Sequence, residues 1–421
     1  MTLLTRAAIV AVGSELLTPS KLDTNSLHIT EQLNLLGIDV IVKAVVGDSR
    51  DELAHTIGAL LERVDLLILC GGLGPTDDDV TREAVAVALE RPLSEDEAIT
   101  VRLRERFKAR GFAMPMPEIN RRQAMVPAGA VVIENTRGSA PGLWIDHDEA
   151  HSVVLLPGPP RELKPMLAAL VEGRLRDRTS GQPLVRRVVR IAGRIESHVD
   201  EALQPLYHEW TKASTPIAAT ILATLGSIEL HLFARASSRA GADEALEVAV
   251  GQVVGVIGAD VYSTDGRTLE RVVGDLLVDR GLRIAVAESC TGGLITSRLT
   301  DVPGSSRYVD QSVITYSNAA KTELLGVPPE LLEAHGAVSE PVALAMADGI
   351  SARAGAGVGV GVTGIAGPTG GTPEKPVGMV VVAAVTPQER RCRTFRFYGE
   401  REPVKFQASQ AALDMVRRLL G

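Results

Sequence analysis

Four short apolar runs of this chain end directly in small-residue turns. They are AAIVAVG (Ala7 to Gly13), DLLILCGG (Asp65 to Gly72), RIAVAES (Arg283 to Ser289) and VGVGVTG (Val358 to Gly364). A run of Val, Ile, Leu and Ala with no polar alternation is a strand covered on both faces, which is the habit of parallel sheets. Helical patterns lie between the runs: NSLHITEQLNLLG, DELAHTIGALLERV, ELLEAHG and EPVALAMADGISARAG. Leu36-Gly37 and His335-Gly336 have the form of helix C-caps. Strand and helix in alternation predict the α/β class. In such sheets ligands sit beyond the carboxyl ends of the strands, where these turns fall.

The middle of the chain differs. LVRRVVRIAG reads as strand, SHVDEALQPLYHEW as helix, TPIAATILAT as strand or loop, SIELHLFARA as strand and AGADEALEVAVGQVVGVIG as helix. SIELHLFARA alternates polar and apolar residues, which predicts a half-exposed antiparallel strand. YSTDGRT (Tyr262 to Thr268) reads as a linker. The expectation is two three-layer α/β domains with mainly parallel sheets, joined by a small α+β domain. The boundaries are 1–172, 173–260 and 261–421 of the 421 residues, in keeping with roughly 150 residues per domain.

Composition removes several function classes. Lys plus Arg is 44 and Asp plus Glu is 52, a net charge of −8, and aromatics are 3%. That argues against direct nucleic-acid binding, which needs basic surface and stacking rings. Cys70, Cys290 and Cys392 are odd in number and far apart. They indicate neither a disulfide framework nor a zinc knuckle, and they suit a reducing cytoplasm. The opening MTLLTRAAIVAVGSELL flows into Gly13-Ser14-Glu15 without a small-x-small cleavage pattern, so a buried strand is expected there rather than a leader. No apolar stretch reaches the roughly 18 residues of a membrane span.

The first chemical constellation is Gly71-Gly72-Leu73-Gly74-Pro75-Thr76, followed by Asp77-Asp78-Asp79. The glycines permit close approach of a ligand to the backbone. A helix starting near Val80-Thr81 offers N–H groups to a phosphate. Adjacent carboxylates suit a hard divalent cation such as Mg²⁺. The same acids would equally serve as a helix-capping run. LPGPPRELKPML (Leu156 to Leu167) has the Arg161/Glu162 pair of an anion-facing turn, or is a plain connector.

The second constellation runs from Ala287 to Gly293 and includes Ser289, Thr291, Gly292 and Gly293. A strand end, a Ser/Thr/Gly turn and a helix (LITSRLTD) make a phosphate cradle. Gly304-Ser305-Ser306 supplies hydroxyls on a turn, and Tyr316, Ser317, Asn318 and Lys321 follow. A serine with a desolvated lysine is a known nucleophile–base pair. Taken singly, Ser306 also reads as a cap, Lys321 as a solvated charge and Tyr316 as core. Cys290 lacks an evident histidine partner; the nearest is His335.

Two resemblances organise these motifs. VGSELL, DTNS, VVGDSRDEL and GGLGPTDDDVT resemble, in this order, the molybdopterin-binding fold of the molybdenum-cofactor biosynthesis family. The matching positions are Gly13, Ser14, Glu15, Asp48, Gly71, Gly72, Gly74 and Asp79. The departure is Leu73-Gly74-Pro75-Thr76 with the extra carboxylates Asp77 and Asp78. AESCTGG, PGSS, TYSNAAK, HGAVSEPVA, TGIAGPTGGTPEKPVG and FYGERE resemble the CinA C-terminal domain family, which includes nicotinamide-nucleotide amidohydrolases. The whole chain is similar to the CinA family from end to end.

The resemblance implies a Ser–Lys amidase without a cofactor, acting on nicotinamide mononucleotide. It carries the nucleophile to Ser306, the base to Lys321 and assisting roles to Tyr316 and Ser289. Arg401 would clamp phosphate or carboxylate, with Asn318, Thr363, Gly364, Gly304, Ser305, Thr291, Gly292 and Gly293 bordering the substrate. Backbone N–H groups near the Gly304-Ser305-Ser306 turn would hold the oxyanion. Ala319 departs from the acidic residue common in YSNEAK and touches no assigned role. For the first domain it implies a divalent-metal ADP-ribose pyrophosphatase. Its metal ligands would be Asp48, Asp78 and Asp79, with Gly71, Gly72, Gly74 and Glu15 on the substrate. A KH-like middle domain and a cytoplasmic homodimer are also implied. Two rivals remain: a non-catalytic competence or DNA-repair adaptor, and a molybdopterin-binding protein.

Overall fold

The apolar runs become buried strands. The computed structural model describes residues 2–109, 116–179 and 181–421. These form two compact units, 1–185 with 234–245 and 186–233 with 246–421. In the first unit the strands are β1 (Arg6–Val12), β2 (Asp39–Val46), β3 (Leu66–Cys70), β4 (Leu93–Glu95), β5 (Met125–Pro127), β6 (Val131–Ile133), β7 (Gly142–Asp146) and β8 (Ser152–Leu156). Its main sheet has the order β2-β1-β3-β8-β7-β6. β1 runs parallel to β2 and β3, and β3 parallel to β8. β7 is antiparallel to both its neighbours. β4 and β5 form a separate antiparallel ribbon.

Alternate residues of each central strand enter opposite cores, which explains the unbroken apolar runs. Ala8, Val10, Leu67, Leu69, Val153 and Leu155 pack with Leu53 and Ile57 of helix Arg50–Leu61 and Val85 of helix Thr81–Ala88. Ala7, Ile9, Leu66, Ile68, Val154 and Leu156 pack with Ile29 and Leu33 of helix Asn25–Leu35 and Leu163 and Leu167 of helix Pro160–Glu172. Burying each Leu or Ile contributes about 1.5–3 kcal/mol, so both faces stabilise the sheet. Gly37 closes helix Asn25–Leu35 at φ +81°, as the Leu36-Gly37 pair predicts.

The following strands are β9 (Leu184–Ile191), β10 (Ile217–Thr224), β11 (Ser227–Arg235) and β12 (Val261–Ser263), in the order β10-β11-β9-β12. Two expectations change here. β11 has no exposed residue, although Ile228, Leu230, Leu232 and Ala234 alternate inward as expected. Its remaining face is half-buried at Ser227, Glu229, Phe233 and Arg235 and buried at His231, which meets Glu229 at 3.0 Å. The Tyr262–Thr268 stretch is strand through Ser263, not linker throughout. Tyr262 is buried, its hydroxyl sharing a hydrogen bond with Ser227 Oγ at 2.9 Å.

The last sheet contains β13 (Ile284–Glu288), β14 (Val309–Ile314), β15 (Val358–Gly364), β16 (Met379–Val385) and β17 (Arg390–Arg396), ordered β14-β13-β15-β16-β17. β13 is parallel to β14 and β15, and the far edge is antiparallel. Helices Leu269–Asp279 and Arg401–Leu420 cover one face. Helix Glu340–Ala354 covers the other. Both sheets are therefore layered between helices, and the chain is an α/β protein. Among the described residues no helix is long and apolar enough to cross a membrane.

Candidate active sites

Parallel strands gather their carboxyl ends, and with them the loops that follow. In the first unit the loops after β1, β2, β3 and β8 line a cleft of about 650 Å³. Glu15, Asp48, Gly71, Gly72, Gly74, Asp78 and Asp79 all face it. The sequence motifs thus meet in one place, as the strand directions require.

Hydrogen bonding distinguishes the acids from one another. Asp48 Oδ2 accepts from the Ser14 N–H at 2.9 Å, and the Asp48 N–H donates to Ser14 Oγ at 3.1 Å. The pair ties together the loops after β1 and β2. Asp79 accepts from the Gly74 N–H at 2.7 Å, the Thr76 N–H at 2.9 Å and the Thr76 hydroxyl at 2.6 Å. Its carboxylate latches the Gly74–Thr76 loop. Buried Arg82 donates to the carbonyls of Leu73 and Gly74, both at 2.7 Å, and fixes the same loop from beneath. None of these acids caps helix Thr81–Ala88 by a hydrogen bond: Val80 is its N-cap and no side chain caps it. The Thr76 side chain beside it holds the exposed Asp78 carboxyl below the usual carboxylate range. Lys21, bonded to Glu15 at 2.7 Å, does the same for Glu15.

Among the described residues no three His, Cys, Asp or Glu side chains gather to hold a metal by themselves. The oxygen donors of Asp48 and Asp78 still fit Mg²⁺. That ion commonly takes one or two carboxylates and completes its shell with water and phosphate oxygens. The Arg161/Glu162 turn departs from an anion-facing reading. Arg161 is exposed, and it is the buried Glu162 that lines the cleft.

In the second unit the ends of β13, β14 and β15 surround a smaller pocket of about 180 Å³. Ser289, Cys290, Tyr316, Lys321, Thr363, Gly364 and Arg401 line it. Lys321, on helix Asn318–Leu325, is 1% exposed. Its Nζ donates to the Thr315 carbonyl at 2.8 Å and, at a long 3.4 Å, to Ser289 Oγ. Among the described residues it makes no ion pair, and burial lowers its pKa from the ordinary 10.5. Tyr316 is 62% exposed, so it is not core. Arg401 donates to the Tyr316 hydroxyl at 2.8 Å and to the Gly367 carbonyl at 2.9 Å. Thr363 Oγ1 donates to the Ala337 carbonyl at 2.9 Å. Burial pushes the Cys290 thiol up to about 12, so it is not a ready thiolate.

Other expected residues stand apart from this pocket. Ser306 is exposed on the short turn Ser305–Arg307 and does not line the Lys321 pocket. Gly304 starts that turn, where the N–H groups of Ser305, Arg307 and Tyr308 donate to the carbonyls of Val302, Gly304 and Ser305. These three are therefore not free oxyanion donors. Asn318 opens the Lys321 helix without lining the pocket. The phosphate-cradle expectation at Thr291, Gly292 and Gly293 is altered by Glu288, which is fully buried. Its carboxylate accepts from the N–H groups of Gly293 at 2.9 Å, Ile295 at 3.1 Å and Thr296 at 2.9 Å, and from the Thr296 hydroxyl at 2.7 Å. The helix N-terminus is thus occupied by the chain's own anion. Sequence reading missed this, although an acid closing an otherwise apolar strand was a visible signal. Gln123, a further lining residue of the first cleft, carried no such signal.

Comparison with known proteins gives this arrangement its relatives. Residues 266–420 match the CinA C-terminal domain, and residues 8–177 match a domain described as "Probable molybdopterin binding domain". A CinA-like protein from Koribacter versatilis is 45% identical over 417 residues, covering 98% of this chain and 99% of that protein. A CinA-like protein from Acidobacterium capsulatum is also 45% identical, with the same coverage. A solved competence/damage inducible protein from Agrobacterium tumefaciens is 43% identical, covering 36% of this chain and 93% of its own, with a TM-score of 0.35. With relatives of this identity matched from end to end, the chain belongs to the CinA family.

Proposed function

We propose that the second unit hydrolyses the carboxamide of nicotinamide mononucleotide to nicotinate mononucleotide and ammonia. One observation carries this reading: a buried lysine, without an ion-pair partner among the described residues, meets a serine hydroxyl under an arginine and a tyrosine. Neutral Lys321 takes the serine proton as the serine oxygen bonds to the amide carbon. The C–N bond then breaks, and the lysine returns the proton to the departing ammonia. Water, deprotonated by the same lysine, adds to the acyl carbon; the ester C–O bond breaks and the lysine returns the proton to the serine oxygen. Arg401 is suited to the substrate phosphate.

The family resemblance assigns the nucleophile to Ser306. A second reading, favoured by the 3.4 Å contact with Lys321, assigns it to Ser289. Ammonia release from nicotinamide mononucleotide by full-length Ser306→Ala and Ser289→Ala proteins separates the two. The nucleophile's variant loses acyl-enzyme formation entirely, and the other retains a measurable rate. No ammonia from folded wild-type protein rejects the amidase.

For the first unit we propose metal-dependent cleavage of ADP-ribose to AMP and ribose 5-phosphate. Its support is the glycine loop and the carboxylates converging on one cleft. Asp48 and Asp78 would hold a divalent cation, which when bound neutralises diphosphate charge. Asp79 and Arg82 keep the loop in shape for that substrate. Phosphate-product analysis with and without chelator tests it. A rate indifferent to chelator and to Asp78→Asn rejects it. Recovery of bound pterin from purified protein would instead favour the molybdopterin reading.

A further inference from the structure

The diphosphate reading leaves one part of the first cleft unexplained, where the lining residues are Gln123, Ser139, Ala140 and Glu162. Resting on that reading, we infer that Gln123 and Glu162 form a subsite that receives the cis-diol of a substrate ribose.

Gln123 is 2% exposed. Its Nε2 donates to Ser139 Oγ at 3.3 Å and, at a long 3.5 Å, to the Leu73 carbonyl. Its Oε1 is buried with no hydrogen-bond partner. A buried acceptor left without a donor is unfavourable, and a ligand donor relieves it. Glu162, 7% exposed, lies on the first turn of helix Pro160–Glu172. Its Oε2 accepts from Asn135 Nδ2 at 2.9 Å. Arg161 Nε lies 3.8 Å from Oε1, beyond hydrogen-bond distance.

The carboxylate is held by construction. The N–H groups of Arg137 and Gly138 donate to Asn135 Oδ1 at 3.0 and 2.7 Å, orienting the amide that grips Glu162. A Cβ on Gly138 would lie 1.6 Å from Glu162 Oε2, so the backbone passes close beside the carboxylate here. The result is two acceptors, on Gln123 and Glu162, at residues that line the same part of the cleft. A carboxylate there repels phosphate, so the matching group brings its own hydrogens. A ribose diol presents two adjacent O–H donors and adjoins a phosphate, which the rest of the cleft suits.

The test is calorimetric binding to full-length protein in the presence of Mg²⁺. The probes are ADP-ribose and two ribo/deoxy pairs: ribose 5-phosphate with 2-deoxyribose 5-phosphate, and AMP with 2′-deoxy-AMP. Wild type should prefer the ribo member of at least one pair by roughly 10- to 100-fold. Glu162→Gln and Gln123→Met, each near-isosteric, should shrink that preference to under about threefold while melting like wild type. If one variant misfolds, the other decides. ADP-ribose binding with no ribo preference, or with a preference unchanged in a folded variant, overturns the subsite and leaves the diphosphate reading standing. If wild type binds neither ADP-ribose nor the phosphosugars, the diphosphate reading falls and takes the subsite with it.

Discussion

Lys321 is the residue on which the amidase reading turns, and its burial gives that reading a pH signature. A lysine base works only when neutral, and desolvation lowers its pKa from 10.5. Ammonia release should therefore climb as pH rises through the lowered value and then level off. Lys321→Arg keeps the charge but cannot deprotonate, and should abolish the rate. Stability carries the same sign. Between the lowered pKa and 10.5 the unfolded chain binds more protons, so unfolding free energy rises with pH across that window. Urea titrations should show this rise flattened in Lys321→Met. A flat rate profile, or turnover in Lys321→Arg, removes the lysine from the mechanism. Glu288 makes a complementary case. Four donors meet its buried carboxylate, and Glu288→Ala should cost about 2–4 kcal/mol in chemical denaturation. An unchanged midpoint would show that the cap contributes little. Residue types and spacing suggested a serine paired with Lys321, and the family resemblance added Ser289 and Arg401. They did not announce which hydroxyl meets the lysine, because that depends on how far apart the loops after β13 and β14 are carried.

At the scale of elements, β15 shows why some features were readable and others not. Its sequence, VGVGVTG, is a strand that uses two different faces. Val358, Val360 and Val362 enter the core beneath helices Leu269–Asp279 and Arg401–Leu420. Gly359 and Gly361 face helix Glu340–Ala354, whose backbone comes close. A Cβ on Gly361 would sit 2.3 Å from the Ala343 carbonyl oxygen and 2.7 Å from the Ala347 nitrogen. Gly361→Ala should therefore destabilise by about 1–3 kcal/mol, as overpacking does. A melting temperature equal to wild type would mean the helix can retreat freely. Buried strands and their helices were legible because burial on both faces leaves an unbroken apolar run. β11 also showed its alternation, with Ile228, Leu230, Leu232 and Ala234 turned inward. Tyr262 read as a turn residue because its partner, Ser227, lies on another strand.

At the scale of the whole molecule, each candidate site is built within one compact unit. The residues lining the first cleft lie between Ala11 and Glu162, and those lining the second pocket between Ser289 and Arg401. Chemistry at one should then be separable from chemistry at the other. Lys321→Met should eliminate ammonia release and leave ADP-ribose cleavage within about twofold, since the two pockets share no lining residue. Asp78→Asn should do the reverse. Chelation should stop the diphosphate reaction alone, because the amidase chemistry uses only side chains of its own pocket. Paired assays on the same preparations check all three statements. Loss of both activities in one folded variant would mean that the reactions are coupled. Loss of neither would return weight to the adaptor reading. A net charge of −8 makes that adaptor a poor direct ligand for DNA. A gel shift at low salt should accordingly show no retained band, and a band that survives moderate salt would require a basic surface that overcomes the overall charge.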